Sequence, residues 1–194
     1  MVGTGFASSF FLFKYLAKAS AHCKVLVLER GHLYPHSQRI QDLSRSDGIL
    51  KKINPESHET FVNKTANKQW AFSVGFGGSS NCWYGCTPRF LPSDFKLQTL
   101  YGVGADWPVA YDELEAYYSE AEELMGISGP SETPFPKSGS YPLPPHTFSS
   151  VDRILRQKYG SLYINQPTAR ASRPARGRNV CCSSAICGLC PVDA

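Results

Sequence analysis

Two glycines separated by one residue, Gly3 and Gly5, stand directly before an apolar helical pattern and constrain the fold most. The run 3–8 (GTGFAS) has the spacing in which the first glycine allows a tight turn out of a strand and the second lets the backbone approach a ligand closely. The small third position, Ser8, lets the helix pack against that strand. Because the helix N-terminus presents N–H groups and a favourable dipole, the spacing predicts a dinucleotide-binding turn.

The segments around this turn support the same interpretation. Apolar side chains recur at helical spacing and predict a helix over residues 3–19, and the apolar run 24–29 predicts a buried parallel strand. That strand ends in Glu29, whose carboxylate can accept hydrogen bonds from ribose hydroxyls. The alternative is an ordinary turn before a helix, with a surface carboxylate. Only two residues precede Gly3, so the central strand either begins upstream or is replaced by another segment.

The remainder of the chain divides by composition. Residues 32–70 are polar and irregular, with one short helix expected near 38–52. A helix is predicted over 111–126, with Asp112 as N-cap and Glu115 as its capping-box partner. Six prolines between 129 and 148 exclude a helix or central strand, and a second short helix is predicted over 151–158.

These elements indicate an α/β chain with three parts. Residues 1–128 form a partial dinucleotide-binding domain of Rossmann-like type, and the rest is a loop-rich extension. That extension consists of a proline-rich loop or linker over 129–150 and a short helix with a cysteine-rich segment over 151–194.

Charge and hydropathy exclude several classes of partner. Four arginines between residues 170 and 178 account for the net charge of +4, and the rest of the chain has equal numbers of basic and acidic residues. Neither a polyanion-binding surface nor nucleic-acid binding is therefore predicted. That run is interpreted as a solvated loop, the alternative being a phosphate or partner contact. The apolar stretch 6–19 contains Lys14 and Lys18 and is too short to cross a bilayer, so no membrane span or secretory signal is predicted.

The seven cysteines are concentrated near the end of the chain. An odd number without a secretory signal favours reduced thiols or metal ligation in the cytoplasm. Four of them lie between 181 and 190, followed by a proline, which is typical of iron–sulfur ligand runs. A zinc site, a disulfide and free thiols are the alternatives.

Two further stretches carry a resemblance to a known family. They are residues 77–90 (GGSSNCWYGCTPRF) and residues 100–118, with Asp106-Trp107-Pro108 followed by YDELEAYY. Together with the N-terminal glycines they resemble the glucose–methanol–choline (GMC) oxidoreductases. They look closest to the flavoprotein subunits of bacterial FAD-dependent sugar dehydrogenases and to pyranose oxidases. The resemblance covers residues 2–128 and the terminal cysteines.

The resemblance implies FAD as the cofactor, with Gly77 and Gly78 lying against the flavin and its pyrophosphate. Paired glycines suit this role because their backbone can run flat along a planar ligand. Cys82 stands where pyranose oxidase-like members carry a histidine that can be joined covalently to the flavin. A thioether is conceivable there, although a packed thiol is the expected state. The full set of expected cofactor-binding residues is Gly3, Gly5, Phe6, Ser8, Glu29, Arg30, Gly77, Gly78, Ser79, Asn81 and Cys82.

Some sugar dehydrogenase subunits of this family hold an iron–sulfur cluster with a run similar to the terminal cysteines. This implies ligation by Cys181, Cys187 and Cys190, with Cys182 as a spare. The last spacing is two intervening residues, whereas three are expected in those relatives. Such a cluster would pass electrons from reduced flavin to an electron-transfer subunit.

The implied reaction is oxidation of a CH–OH group of an alcohol or sugar, with hydride passing to flavin N5 and a histidine base taking the proton. The family carries that base near the far end of a longer chain, and none of the five histidines here lies in a matching motif. We therefore expect an FAD-binding portion that is inactive alone and needs the family's C-terminal half or a complementary chain. The alternatives are a non-catalytic remnant or interaction module, and an NAD(P)-dependent enzyme. The expected location is cytoplasmic, or periplasmic with an exported partner.

Overall fold

The computed structural model describes residues 1–43, 62, 64–65, 67, 73–187 and 190–192. Over these ranges the regular secondary structure is helical, irregular segments make up the rest, and strand pairing consists of isolated β-bridges. A Rossmann-like sheet therefore stays a prediction. The α-helices in these ranges are α1 (Phe6–Leu16), α2 (His36–Leu43), α3 (Leu97–Tyr101), α4 (Tyr111–Met125) and α5 (Ser150–Tyr159), and 3-10 turns cover Gly78–Cys82, Pro92–Lys96 and Gly160–Leu162.

The chain groups into two compact units. The first comprises Met1–Tyr84 with Ser184–Pro191, and the second comprises Gly85–Ser183 with Val192–Ala194. The composition-based boundaries at 128 and 150 both fall inside the second unit. Among the described residues, none of the helices combines the length and apolar character that crossing a membrane requires.

The first unit contains a short strand–turn–helix arrangement at the N-terminus. Val2 and Leu28 form a parallel bridge, in which the Gly3 N–H donates to the Leu28 carbonyl at 2.7 Å and the Leu28 N–H donates to the Met1 carbonyl at 2.9 Å. The predicted strand 24–29 is thus paired at one position, and the prediction that it is buried is wrong, because Leu26 and Leu28 are 70% and 54% exposed. Helix α1 follows directly, inside the predicted range. Helix α2 covers the first part of the helix predicted near 38–52. The rest of that prediction, beyond residue 43, lies outside the described residues.

The second unit has a core of aromatic and aliphatic side chains. The Phe95 ring packs edge-on against Trp107 and Tyr111, with centroid distances of 5.5 and 6.1 Å. Ser128 joins three segments, because it pairs with Thr168 through two backbone hydrogen bonds (2.8 and 2.9 Å) and forms a parallel bridge to Leu143. These bonds hold the proline-rich segment in place in a non-helical conformation, as its prolines predict.

Helix α4 confirms the predicted helix but not its cap. The prediction that Asp112 is the N-cap is wrong, because Ala110 holds that position with extended backbone (φ −90°, ψ 160°). This shifts the roles by two residues, so Glu113 accepts the Ala110 N–H at 2.8 Å. Asp112 lies in the first turn, where a carboxylate favours the helix dipole. Glu115 is left to pair with Arg89.

Arg89 is the centre of a buried charged cluster that ties α4 to the proline-rich segment. Its side chain is 1% exposed and binds both carboxylate oxygens of Glu122, from Nε at 2.7 Å and Nη2 at 2.9 Å. Nη1 donates to Glu115 at 2.9 Å and to the Pro136 carbonyl at 3.1 Å. Lys137 completes the cluster with a bond of 2.5 Å to Glu122. Tyr111 and Ser119 also bond to Arg89.

Part of the basic run 170–178 has a structural role. Arg178 donates to the Met125 carbonyl at 2.9 Å and to the Ala169 carbonyl at 2.7 Å, so its charge lies at the C-terminus of α4. Arg176 pairs with Glu123 on the same helix. These bonds hold the end of the run against α4, whereas Arg173 and Arg176 are exposed, as a solvated loop predicts.

Helix α5 confirms the predicted helix over 151–158 and supplies a first test of stability. The Ser149 hydroxyl accepts the Asp152 N–H at 3.2 Å, and the Asp152 carboxylate accepts the Ser149 N–H at 2.9 Å. We expect Ser149→Ala to lower the free energy of unfolding by about 1 kcal/mol, because it removes this N-cap. Urea unfolding measures the change. Ser131→Ala, at an exposed loop position, is the control and should stay within about 0.5 kcal/mol; equal losses would contradict a capping role.

Candidate functional site

The turn at Gly3 leads into α1 with its first N–H groups uncapped by a side chain. Gly3 has φ +82°, a conformation that favours glycine, and Gly5 is the N-cap residue of α1. Gly5 offers no side-chain oxygen to the first turn, so these donors are available to an anionic ligand. The Ser8 hydroxyl donates back to the Val2 carbonyl at 3.4 Å. The small third position of the motif therefore lies against Val2, which pairs with Leu28.

A second glycine segment lies against the first. Gly77 and Gly78 have φ values of +92° and +54°. A Cβ atom on Gly5 would lie 3.8 Å from the Gly77 carbonyl oxygen, and one on Gly78 would lie 3.9 Å from the Gly5 Cα. Two segments far apart in the sequence therefore meet backbone to backbone. A Cβ atom on Gly77 would meet the Asn81 amide nitrogen at 3.0 Å, so the absence of side chains at these glycines lets the two backbone segments lie close to each other.

A closer backbone contact joins the end of segment 24–29 to the same glycine segment. A Cβ atom on Gly31 would lie 2.4 Å from the Gly75 nitrogen, so only glycine fits there. The Phe76 N–H donates to the His32 carbonyl at 3.1 Å beside this contact. The turn after Glu29 is thus held directly against the loop that carries Gly77.

Glu29 is fixed by the glycine turn. Its Oε2 atom accepts the Thr4 hydroxyl at 2.7 Å and the Thr4 N–H at 3.1 Å, and Oε1 accepts the Gly31 N–H at 3.2 Å. These bonds, the Thr4 hydroxyl first, lower the pKa of the Glu29 carboxyl below its ordinary value. The side chain is therefore a carboxylate at neutral pH, as acceptance of ribose hydroxyls requires.

Three further expected residues stabilise the second glycine segment. The Ser79 hydroxyl accepts the Ser73 N–H at 3.4 Å, and the Asn81 amide donates to the Phe76 carbonyl at 2.8 Å. The Cys82 thiol donates to the Ser79 carbonyl at 3.3 Å. These bonds hold the loop that carries Gly77 and Gly78. Contacts of these side chains with a flavin, including a thioether at Cys82, stay predictions.

Phe6 and Arg30 flank the site in different ways. The Phe6 ring packs edge-on against Trp83 with a centroid distance of 4.9 Å, which joins the first turn of α1 to the segment after the glycines. Arg30 is exposed. A role for either side chain in binding a cofactor stays a prediction.

The expected metal ligands are divided between the two units. Cys181 belongs to the second unit, and Cys187 and Cys190 belong to the first. No disulfide joins the seven cysteines, all of which are described. Within the described part of the chain, no three histidine, cysteine or acidic side chains are grouped so that they could hold a metal ion. Ligation of an iron–sulfur cluster therefore stays a prediction.

Two residues of the site are not predicted by the sequence motifs. Thr4 occupies the variable position between the two glycines, and its hydroxyl accepts the Gly77 N–H at 2.8 Å while donating to Glu29. Gly31 follows the apolar run 24–29 and Arg30, where a glycine indicates no more than a turn. The signal for Thr4 is weak, because the motif tolerates any residue there.

Comparison with known proteins finds two related dehydrogenases and no matching protein-family model. The chain is 40% identical over 140 residues to a fructose dehydrogenase large subunit from Gluconobacter japonicus; the match covers 68% of this chain and 26% of that protein. It is 35% identical over 175 residues to a 2-methyl-1,2-propanediol dehydrogenase from Mycolicibacterium austroafricanum, covering 84% of this chain and 32% of that protein. The chain thus spans 26% and 32% of its relatives' lengths, and it is similar to dehydrogenase-type oxidoreductases.

Proposed function

We propose that this chain is the FAD-binding portion of a GMC-type oxidoreductase that oxidises CH–OH groups of alcohols or sugars. The observation that carries the proposal is the contact of Gly5 with Gly77 and Gly78 at the N-terminus of α1. Two relatives named as dehydrogenases, one for a sugar and one for a diol, support the reaction class.

The residues present fit the parts of FAD. The uncapped first turn of α1 and the turn at Gly3 suit the pyrophosphate, because they offer N–H donors and a helix dipole. The ionised Glu29 suits the adenosine ribose. The segment at Gly77 and Gly78 suits the flavin side, and its presence favours FAD over a nicotinamide cofactor. When bound, FAD would accept the hydride of the substrate carbon.

The complete enzyme requires groups beyond those assigned to this chain. None of its histidines lies in a motif that matches the family's catalytic base. We propose that the base comes from a region corresponding to the unmatched part of the two relatives. The fructose dehydrogenase relative is named as a large subunit, which supports a partner chain, and we propose that this partner accepts electrons. A cluster at Cys181, Cys187 and Cys190 would be the route to that partner.

Flavin titration of the purified chain tests the proposal. We expect FAD to bind noncovalently, and we expect Gly5→Val to weaken binding at least about tenfold. The backbone of Gly5 is not left-handed, so valine adds bulk at the contact with Gly77 without φ strain. Quenching of flavin fluorescence on addition of protein gives the dissociation constant.

Gly139→Val is the matched control, because a Cβ atom at Gly139 would meet no atom within 4 Å. It should bind FAD as the wild type does. Acid precipitation then separates flavin released to the supernatant from flavin bound to Cys82. A brown shoulder with acid-labile sulfide in anaerobic protein would support the cysteine cluster. A wild-type chain that binds no FAD would contradict the proposal and favour a non-catalytic remnant.

A further inference from the structure

The Thr4 hydroxyl connects three segments of the candidate site. It donates to Glu29 Oε2 at 2.7 Å and accepts the Gly77 N–H at 2.8 Å. The Thr4 backbone N–H donates to the same Glu29 oxygen at 3.1 Å. One side chain in the first glycine turn therefore contacts both the end of segment 24–29 and the second glycine segment.

The two hydrogen bonds of the Thr4 hydroxyl have the lengths of well-formed hydrogen bonds, and the one to Glu29 is to a charged group. A hydroxyl has one donor and two acceptor positions, so it can serve a carboxylate and an N–H at the same time. Donation to Glu29 also polarises the oxygen that accepts from Gly77. The β-branched side chain of Thr4 has few rotamers, so the hydroxyl is held where both partners meet it.

We propose that Thr4 is a positioning residue that sets Glu29 and Gly77 in place for FAD. This inference rests on the proposed function and deepens it. An ionised carboxylate oxygen accepts about two hydrogen bonds, and both positions on Oε2 are taken by Thr4. A ribose hydroxyl would therefore meet Glu29 at Oε1. The site is arranged before the cofactor arrives, so binding does not have to order these two segments.

Two substitutions separate the hydroxyl from the shape of the side chain. Thr4→Val keeps the branched shape and removes the hydroxyl, and Thr4→Ser keeps the hydroxyl. We expect the valine variant to bind FAD about 10-fold to 100-fold more weakly, because two hydrogen bonds are lost and one is to a charge. The serine variant should stay within about threefold of the wild type.

Hydrogen exchange and carboxyl titration, measured by NMR without flavin, report on positioning directly. In Thr4→Val the Gly77 amide should exchange at least about tenfold faster, because its acceptor is gone. The Leu28 amide, which donates to Met1 in the same unit, should be unchanged. The pKa of Glu29 should rise towards its ordinary value in the valine variant and stay low in the serine variant.

Faster exchange at Gly77 alone, a higher Glu29 pKa and rescue by serine support the proposal. Equal acceleration at Gly77 and Leu28 would mean general loosening of the fold and would overturn it, as would wild-type FAD affinity in Thr4→Val. A wild-type chain that binds no FAD would end the proposed function, while exchange at Gly77 and titration of Glu29 would still decide whether Thr4 positions them.

Discussion

Replacing Arg89 with methionine should lower the free energy of unfolding by about 3–5 kcal/mol, because it removes one partner of a buried charged cluster. Glu122, which is 5% exposed, would lose both bonds to the guanidinium and keep Lys137. The Pro136 carbonyl would lose its bond from Arg89. Methionine keeps the length and apolar stem of the side chain, so most of the loss should come from the charge and its hydrogen bonds. Urea unfolding measures the change.

Arg176→Met is the matched control. Arg176 also pairs with a glutamate on α4, but both partners, Arg176 and Glu123, are well exposed. Exposed ion pairs contribute about 0–1 kcal/mol, so this variant should unfold almost as the wild type does. Similar losses in the two variants would contradict a specific contribution of the Arg89 cluster.

The same cluster predicts how stability depends on pH. The hydrogen bond from Arg89, with help from the Ser138 N–H, lowers the pKa of Glu115 from 4.5 to about 2. A carboxyl with a depressed folded pKa adds stability above its unfolded pKa, and this stability is lost as pH falls towards the folded pKa. The wild type should therefore lose stability between about pH 4.5 and 2. Arg89→Met should lose less over that range, because the main cause of the shift is gone.

A methyl group added at Gly31 should disrupt the first unit. In Gly31→Ala the new Cβ atom would lie 2.4 Å from the Gly75 nitrogen and 2.5 Å from its Cα, and both are backbone atoms. The segment that carries Gly77 must then move away. We expect a loss of about 1–3 kcal/mol in the free energy of unfolding, and FAD binding weakened at least about tenfold. Urea unfolding and flavin titration measure the two effects.

Gly139→Ala separates this clash from the general effect of replacing glycine. It adds the same methyl group where no atom lies within 4 Å, so stability should change by no more than about 0.5 kcal/mol. Normal FAD affinity in Gly31→Ala would show that the contact with Gly75 does not set the position of the glycine segment.

The parts of the fold predicted from sequence are those encoded locally. Helices α4 and α5 carry apolar periodicity over many residues, and the prolines of 129–148 exclude a helix or a central strand on their own. Capping preference favours Asp112, whereas the chain already turns into the helix at Ala110, so the sequence places the cap of α4 two residues too late. Local preference was overridden there by the path of the chain.

The sequence predicts the candidate site only in separate parts. Spacing identifies Gly3 and Gly5, and resemblance identifies Gly77 and Gly78, but neither says that the two pairs touch. Neither argument identifies Thr4, since its two hydrogen-bond partners, Glu29 and Gly77, are distant in the sequence. The partners of Arg89 are likewise spread over later segments. Such convergence depends on tertiary structure, which no single stretch of sequence encodes.

The proline-rich segment, which composition marks as a linker, is a poor place to divide this protein. A fragment ending at residue 128 would leave Arg89 without the Pro136 carbonyl and Glu122 without Lys137. Trypsin cleaves after lysine and arginine, but the side chain of Lys137 in this segment is only 5% exposed. Cleavage within the segment would therefore disrupt a hydrogen bond and an ion pair that stabilise the second unit.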